Sequence, residues 1–179
     1  MKNKEVILGV SASIAIYKAC NLIRELQKQR FNVTVVMTEH AKEFITPLLL
    51  GRLSRNKVYS ELFDKQADFE IKHISLAQKA DLILLAPATA NLIGKIANGI
   101  ADDLLTSLVM AKRCKVLICP AMDEAMYTNP IVQKNIEKLK SYGYKFIEPE
   151  KGMLASGQIG VGRLAEVKAI VEEVKKILK

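Results

Sequence analysis

The chain has 179 residues, half of them hydrophobic, and 27 Lys and Arg against 19 Asp and Glu give it a formal net charge of +8 at pH 7. Such a chain can bury one sizeable core, and without a proline- or glycine-rich linker we expect one domain over residues 1–179. No apolar run reaches the roughly 18 residues of a membrane span, and Lys2-Asn3-Lys4 opens directly into a short strand. We therefore expect a cytoplasmic protein with no membrane partner.

The positive charge does not indicate nucleic-acid binding. The lysines are scattered, aromatic residues make up 6% of the chain, and the densest basic cluster lies at Lys168–Lys179. We interpret the charge as a solvated face that can also attract phosphorylated ligands, and we expect no nucleic-acid partner. Cys20, Cys114 and Cys119 lack metal-ligand spacing, so we expect buried, reduced thiols and no metal site.

Apolar runs alternate with helical patterns along the chain, which is typical of α/β proteins. In chain order the patterns predict the strand Glu5–Val10, the helix Ile14–Gln29, the strand Val33–Met37, a helical segment Ala41–Leu53 around Pro47, the strand Asp81–Ala86, helices near Ala90–Ala97 and Asp102–Lys112, the strand Lys115–Cys119, the helix Pro130–Tyr142, the strand Tyr144–Ile147 and the helix Leu164–Leu178. The run Leu82–Ala86 is apolar throughout, as expected of a strand covered by helices on both faces. We predict a doubly wound parallel sheet.

Small and hydroxyl-bearing residues follow the first two predicted strands. Ser11 and Ser13 lead into a helix, where they can hold a phosphate or simply cap the helix. The segment lacks the Gly-x-Gly-x-x-Gly spacing of a dinucleotide site, so a mononucleotide or a simple phosphate fits better. Thr38 precedes another helical segment, and taken by itself it favours a cap over a phosphate ligand.

Two further junctions are ambiguous from the residues alone. The turn that contains Thr89 and Asn91 can accept a flat ring and bond its edge, or Thr89 can cap the next helix. His73 precedes the strand Asp81–Ala86, and a lone histidine is more often structural than catalytic.

The loop Pro120–Pro130 is the most informative junction. It is polar, contains two methionines and follows the apolar run Val116–Cys119, so it sits where α/β proteins place ligands. A later segment, Gly152–Arg163, carries four glycines and one arginine. We interpret it as a lid over a ligand, in preference to a mobile surface loop whose arginine caps the following helix.

Taken in order, these segments resemble the flavin-dependent cysteine decarboxylases, and the resemblance covers nearly the whole chain. Its most specific parts are the Pro-Ala-Met-x-x-x-Met pattern at Pro120–Met126 and the His-x-x-Leu pattern that begins at His73. The remaining matching segments are the turn Ser11–Lys18, Met37–Phe44, Ala86–Leu105 and Gly152–Leu164.

The resemblance implies a single-domain α/β fold, a flavodoxin-like/Rossmann-like sheet that binds FMN and assembles as homotrimers or as dodecamers of trimers, with active sites between subunits. It implies 4′-phospho-N-pantothenoylcysteine as the substrate and 4′-phosphopantetheine as the product, in coenzyme A biosynthesis, with a separate or fused synthetase as a partner. His73 would be the catalytic base, and Asp123, Met126 and Arg163 would bind the substrate. The implied FMN ligands are Ser11, Ser13, Thr38, Phe44, Thr89, Ala90, Asn91, Leu92 and Ala121.

The resemblance also implies a mechanism. Flavin oxidises the CH₂–SH group to a thioaldehyde, whose C=S bond accepts the electrons left by CO₂. A cysteine of the lid then donates a proton as the product is reduced. Here that position is Ser156, a far weaker acid, so either Ser156 relays a proton, or another group donates it, or the reaction stops at the enethiol.

Asp123 is the second departure, because the family most often has Asn at this position. An ionised aspartate would repel the substrate carboxylate, whereas a protonated one could donate a hydrogen bond to it. We predict that Asp123 is protonated in the complex or turned toward the amide N–H of the substrate.

Three other functions stay open. A peptidyl-cysteine decarboxylase would keep the flavin site and His73 but form an enethiol. A flavin prenyltransferase shares the fold, but the Pro120–Met126 and His73 segments argue against it. A non-catalytic flavin-binding regulatory subunit typically carries long acidic extensions, which this sequence does not show.

Overall fold

The computed structural model describes residues 3–63 and 71–179. Its main sheet has six parallel strands in the spatial order β3-β2-β1-β4-β5-β6. Without the two-residue edge strand β3, the order is that of flavodoxin-like folds. The strands are β1 Glu5–Val10, β2 Asn32–Met37, β3 Val58–Tyr59, β4 Leu82–Ala88, β5 Lys115–Pro120 and β6 Lys145–Phe146.

Helices cover both faces of this sheet, and the sheet separates the core into two layers. All seven residues of β4 are buried, as its uninterrupted apolar sequence predicts. The helices are α1 Lys18–Lys28, α2 Pro47–Ser54, α3 Lys72–Lys79, α4 Ala90–Ala97, α5 Leu104–Met110, α6 Glu124–Tyr127, α7 Pro130–Ser141 and α8 Val167–Leu178, with 3₁₀ helices at Ile14–Tyr17 and Glu39–Glu43. The first layer contains residues of α1, α2 and α8, and the second contains residues of α3, α4, α5 and α7.

The structure confirms the predicted parallel sheet, and β1 and α4 have the predicted bounds. The helical segment predicted over Ala41–Leu53 is wrong as one element. It is split because Pro47 starts a new helix that Thr46 caps by accepting a hydrogen bond from the Leu49 N–H. The last helix begins at Val167 rather than Leu164, because residues 164–166 connect it to a strand that ends at Arg163, and Glu166 occupies the N-cap position.

The segment that we interpret as a lid forms most of a β-hairpin. Its antiparallel strands, β7 Glu150–Met153 and β8 Ile159–Arg163, form a separate two-stranded sheet. The sequence does not predict this hairpin, because β7 has a single apolar residue, Met153, and both strands contain glycine, which is uncommon in strands. None of the helices in the described ranges has the length and apolar character of a membrane span.

The order in which strands are added to the sheet reverses beside β1. The chain passes from β1 to β2 on one side of it, whereas β4 pairs with β1 on the other side. Both neighbours are parallel to β1, so the carboxyl ends of all three strands meet at one edge. Ligands of doubly wound sheets bind at this switch point.

Candidate functional site

A cavity of about 650 Å³ opens at the carboxyl ends of β1, β4 and β5. Its walls come from the turn after β1, the start of α1, the loop after β5 and the β7–β8 hairpin. Seven of the predicted site residues line it together: Ser13, Thr89, Ala121, Asp123, Met126, Ser156 and Arg163. The size is that of sites for cofactors and other small molecules.

The hydroxyl of Ser11 is engaged within the fold. Its side chain is 2% exposed, and its hydroxyl donates a 2.8 Å hydrogen bond to the carbonyl of Pro87. The same oxygen accepts a 3.0 Å hydrogen bond from the N–H of Thr89. A hydroxyl has only one hydrogen to donate, and here that hydrogen joins the ends of β1 and β4, so the FMN role of Ser11 stays a prediction.

Ser13 and Thr89 both act as helix caps, which is one of the two roles that the sequence left open. Ser13 accepts a hydrogen bond from the N–H of Ala15, and Thr89 accepts one from the N–H of Leu92. Both hydroxyls act as acceptors in these caps, and among the described residues no acceptor takes their hydrogen atoms. Each can therefore cap its helix and donate to a ligand in the cavity.

Thr38 contradicts the cap interpretation that its sequence context favoured. It occupies the N-cap position of Glu39–Glu43, but its side chain makes no capping hydrogen bond. The half-buried hydroxyl lies at the carboxyl end of β2, one strand from Ser13. Thr38 and Phe44 do not line the cavity, and Phe44 is an exposed aromatic ring at the end of the same 3₁₀ helix.

The first turn of α4 holds three more of the predicted flavin ligands. Ala90 is half-buried and Asn91 is exposed, but the side chain of Leu92 is in the second core layer. Leu92 therefore stabilises the fold, and its backbone N–H is engaged by Thr89. None of the three is among the residues that line the cavity.

The loop after β5 is held against both neighbouring elements. The N–H of Ala121 donates a 3.0 Å hydrogen bond to the carbonyl of Ala88, which anchors the loop to β4. Asp123 caps α6, because its Oδ1 accepts a 3.0 Å hydrogen bond from the N–H of Ala125. Met126 follows within α6 and is half exposed at the cavity wall.

The hairpin docks on this loop through backbone contact. The N–H of Met122 donates a 3.0 Å hydrogen bond to the carbonyl of Gly162, and Glu124 Oε1 accepts one from the N–H of Val161. A Cβ at Gly162 would lie 2.0 Å from the Met122 carbonyl oxygen, so only glycine permits this approach. At the hairpin tip, the hydroxyl of Ser156 donates to Oδ2 of Asp123.

His73 is the predicted catalytic residue that the single chain does not bring to the cavity. It is half-buried in the first turn of α3, which packs against α5 in the second layer. It is not among the residues that line the cavity.

Sequence reasoning missed Lys18. This residue begins α1 and lines the cavity with a side chain that is only 13% exposed. Lysine is rarely so buried without a partner, and here Nζ donates a 3.1 Å hydrogen bond to the carbonyl of Leu164. The available signal was its position five residues after Ser13, which places it on the helix that follows the β1 junction.

The three cysteines are free thiols, but only Cys119 is fully buried. Burial raises the pKa of the Cys119 thiol well above its ordinary value, so it is neutral at physiological pH. Burial also raises the pKa values of the half-buried Cys20 and Cys114. The described residues contain no group of His, Cys, Asp and Glu that could hold a metal ion.

A second cavity, of about 220 Å³, lies near the amino ends of β1 and β2. Its polar groups bond to one another: Glu5 accepts hydrogen bonds from Thr34 and Asn32, and Asn56 donates to Asn32. Because these polar groups already have hydrogen-bond partners, we interpret the second cavity as a structural feature and not as a ligand site.

The fold and the main cavity define a doubly wound α/β protein with a ligand site at its switch point, suited to a mononucleotide. The model of the Flavoprotein family matches residues 1–179. The chain belongs to this family.

Two curated relatives are similar over nearly the whole chain. The coenzyme A biosynthesis bifunctional protein CoaBC of Bacillus subtilis (strain 168) is 49% identical over 176 residues, which are 98% of this chain and 43% of that protein. The chain thus spans less than half of this relative. The probable phosphopantothenoylcysteine decarboxylase of Streptococcus mutans is 45% identical over 98% of this chain and 99% of its own length.

Solved structures show the same architecture. A PPC decarboxylase mutant complexed with pantothenoylaminoethenethiol matches with a TM-score of 0.88 and 31% identity, over 98% of both chains. The FMN-dependent cysteine decarboxylase SpaF matches with a TM-score of 0.85 and 27% identity, also over 98% of both chains.

Proposed function

We propose that this protein binds FMN and decarboxylates 4′-phospho-N-pantothenoylcysteine to 4′-phosphopantetheine in coenzyme A biosynthesis. The observation that carries the proposal is the match to the Streptococcus mutans relative, because the alignment, at 45% identity, covers 99% of the length of that protein. Because the CoaBC relatives extend well beyond the matched region, we further propose that a synthetase acts with this protein, as a separate or a fused chain.

The residues around the main cavity fit a flavin mononucleotide. Ser13 and Thr89 present hydroxyl hydrogens without acceptors in the described structure, and Thr38 has a hydroxyl that makes no cap. Ala12, Ala15 and Ala121 have small side chains that leave room for a flat ring. The volume of about 650 Å³ falls within the range of cofactor sites.

When bound, FMN would supply the two-electron oxidation that turns the substrate CH₂–SH group into a thioaldehyde able to accept the electrons left by CO₂. The chain itself supplies position and charge. Asp123 is fixed by Ala125 and Ser156 at the cavity wall, where it can accept a hydrogen bond from the substrate amide. The side chains of Met126 and Met153 add apolar surface that excludes water.

We propose that His73 acts as the base in a neighbouring subunit's site, within a homotrimer or a dodecamer of trimers. Two observations support the assembly. His73 lies outside the cavity of its own chain, and Phe44, Leu48 and Leu49 expose apolar surface. Light scattering measures the mass of the assembly. Mixed assemblies of His73→Asn and Asp123→Ala chains should regain activity, because some sites then receive both wild-type residues.

The decisive experiment uses the purified protein loaded with FMN. It is incubated with 4′-phospho-N-pantothenoylcysteine while CO₂ release and product mass are followed. Release of CO₂ supports the proposed function. If neither this substrate nor a peptide ending in cysteine releases CO₂ while FMN stays bound, a non-catalytic flavin-binding subunit is favoured instead.

One contact favours a second candidate, a peptidyl-cysteine decarboxylase that releases an enethiol. The hydrogen of the Ser156 hydroxyl is already donated to Asp123, which makes Ser156 a poor proton donor for completing a reductive step. A peptide ending in cysteine, offered in the same assay, separates the two candidates by which substrate releases CO₂.

A further inference from the structure

The cavity has a cationic corner formed by two side chains that converge on one carboxylate oxygen. Glu166 Oε1 lies 3.6 Å from Lys18 Nζ and 3.7 Å from an Nη atom of Arg163. Both distances exceed those of charge-assisted hydrogen bonds, which are about 2.7–2.9 Å. The carboxylate therefore offsets only one of the two positive charges, and it does not engage the N–H groups of either cation closely.

The two cations keep most of their donors available. Lys18 gives one hydrogen bond, to the carbonyl of Leu164, and the described residues accept no other from it. Within the same part of the chain, the guanidinium of Arg163 has only its ion pair with Glu166. A lysine has three N–H donors and an arginine five, so this corner has donor capacity that Glu166 does not use.

The position of Arg163 depends on the hairpin. A Cβ at Gly152 would lie 2.5 Å from the guanidinium of Arg163, which shows that the arginine side chain lies across the bare face of this glycine. The opposing strand thus leaves a slot for the guanidinium beside the cavity. Lys18 reaches the same corner from α1 and is mostly buried, whereas the Glu166 side chain is 59% exposed and can turn away into solvent.

We propose that Lys18 and Arg163 bind the phosphate monoester of the substrate, and that this phosphate takes the place of Glu166. The inference rests on the proposed function for the identity of the ligand. A phosphate dianion balances both cations and can accept hydrogen bonds from each, whereas one carboxylate would leave a positive charge uncompensated. The substrate carboxylate and the phosphate of FMN are the competing sources of an oxyanion.

The test measures the affinities of the FMN-loaded protein for 4′-phosphopantetheine and pantetheine by calorimetry. We expect wild type to prefer the phosphorylated compound by about ten- to a hundredfold. Lys18→Gln removes the charge but keeps a donor for the Leu164 carbonyl, and Arg163→Gln removes the other charge. Each substitution should bring that ratio close to one. Lys175→Gln removes a lysine paired with Glu172 on the outer face of α8 and should leave the ratio unchanged.

Several results would overturn this assignment. One is a wild-type protein that binds both compounds equally, or binds neither of them. Another is an equal loss of affinity for both compounds in the Lys18 and Arg163 variants, as a structural role requires. A preference for N-pantothenoylcysteine over pantetheine that disappears in the variants would instead assign the corner to the carboxylate. A loss of FMN affinity relative to riboflavin would assign it to the cofactor. Release of CO₂ by wild type is scored separately, so the proposed function can stand while this subsite fails.

Discussion

The hydroxyl of Ser156 donates a 3.3 Å hydrogen bond to Oδ2 of Asp123, across the gap between the hairpin tip and the loop after β5. These are the two positions at which the sequence departs from the cysteine decarboxylase pattern, and they contact each other. The other carboxyl oxygen of Asp123 caps α6. The two departures are therefore one structural unit, and a change at either residue alters the other.

The Asp123→Asn substitution should increase affinity for the carboxylate-bearing substrate by about tenfold, because it removes a like charge from the cavity. Stability should change by less than about 0.5 kcal/mol, since Asn and Asp cap helices equally well. Substrate titration and thermal unfolding measure the two effects. Asn129→Asp is the matched control, because Asn129 caps α7 outside the cavity. Weaker binding with slower turnover would show that the carboxyl has its own role.

The Ser156→Cys substitution should raise the fraction of fully reduced product. A thiol has a pKa of about 8.5 and is a far better proton donor than a hydroxyl that is already bound to Asp123. Ser156→Ala removes the donor and should yield only the enethiol, two hydrogens lighter. Mass spectrometry of the products distinguishes these outcomes. Identical products from wild type and both variants would show that the proton comes from another group.

Ser11 and Ser13 should respond differently to alanine. Ser11→Ala removes the acceptor of the Thr89 N–H and one of the two donors to the Pro87 carbonyl, which keeps the hydrogen bond from the backbone N–H of residue 11. We expect a cost of about 1–3 kcal/mol in the free energy of unfolding, because the Thr89 N–H then has no acceptor in a mostly buried site. Ser13→Ala removes a cap worth about 0.5–1 kcal/mol and should mainly weaken FMN binding. Urea unfolding of the FMN-free proteins and flavin fluorescence titrations provide the two measurements. Equal losses of stability would contradict the separate roles.

The Gly162→Ala substitution should release the hairpin from the loop after β5. Its Cβ would meet the Met122 carbonyl oxygen, so the hydrogen bond from Met122 to residue 162 must break or the backbone must shift. We expect a loss of about 2–3 kcal/mol and weaker ligand binding. Gly143→Ala is the control, because Gly143 also has a positive φ but has nothing within 4 Å of an added Cβ. Equal losses of stability in the two variants would show that the positive φ, and not the contact with Met122, causes the destabilisation.

The sequence was sufficient where the physical cause is local. The apolar run of β4 predicts a strand buried on both faces, and α4 begins and ends where its periodicity indicates. The parallel sheet follows from the alternation of such runs with helices. The loop Pro120–Met126 could also be recognised as part of a site, because it combines the end of a buried strand with polar and apolar side chains.

Only the tertiary structure decided what each polar side chain does. Ser11 and Thr38 both precede helical segments, and the sequence could not distinguish them. The residue that commits the Ser11 hydroxyl is Pro87, which lies 76 positions away in the chain. Lys18 and Arg163 likewise meet at Glu166 only after α1 and the hairpin have packed. Periodicity along a chain reports which residues are buried, but hydrogen bonds and ion pairs depend on distances across the fold.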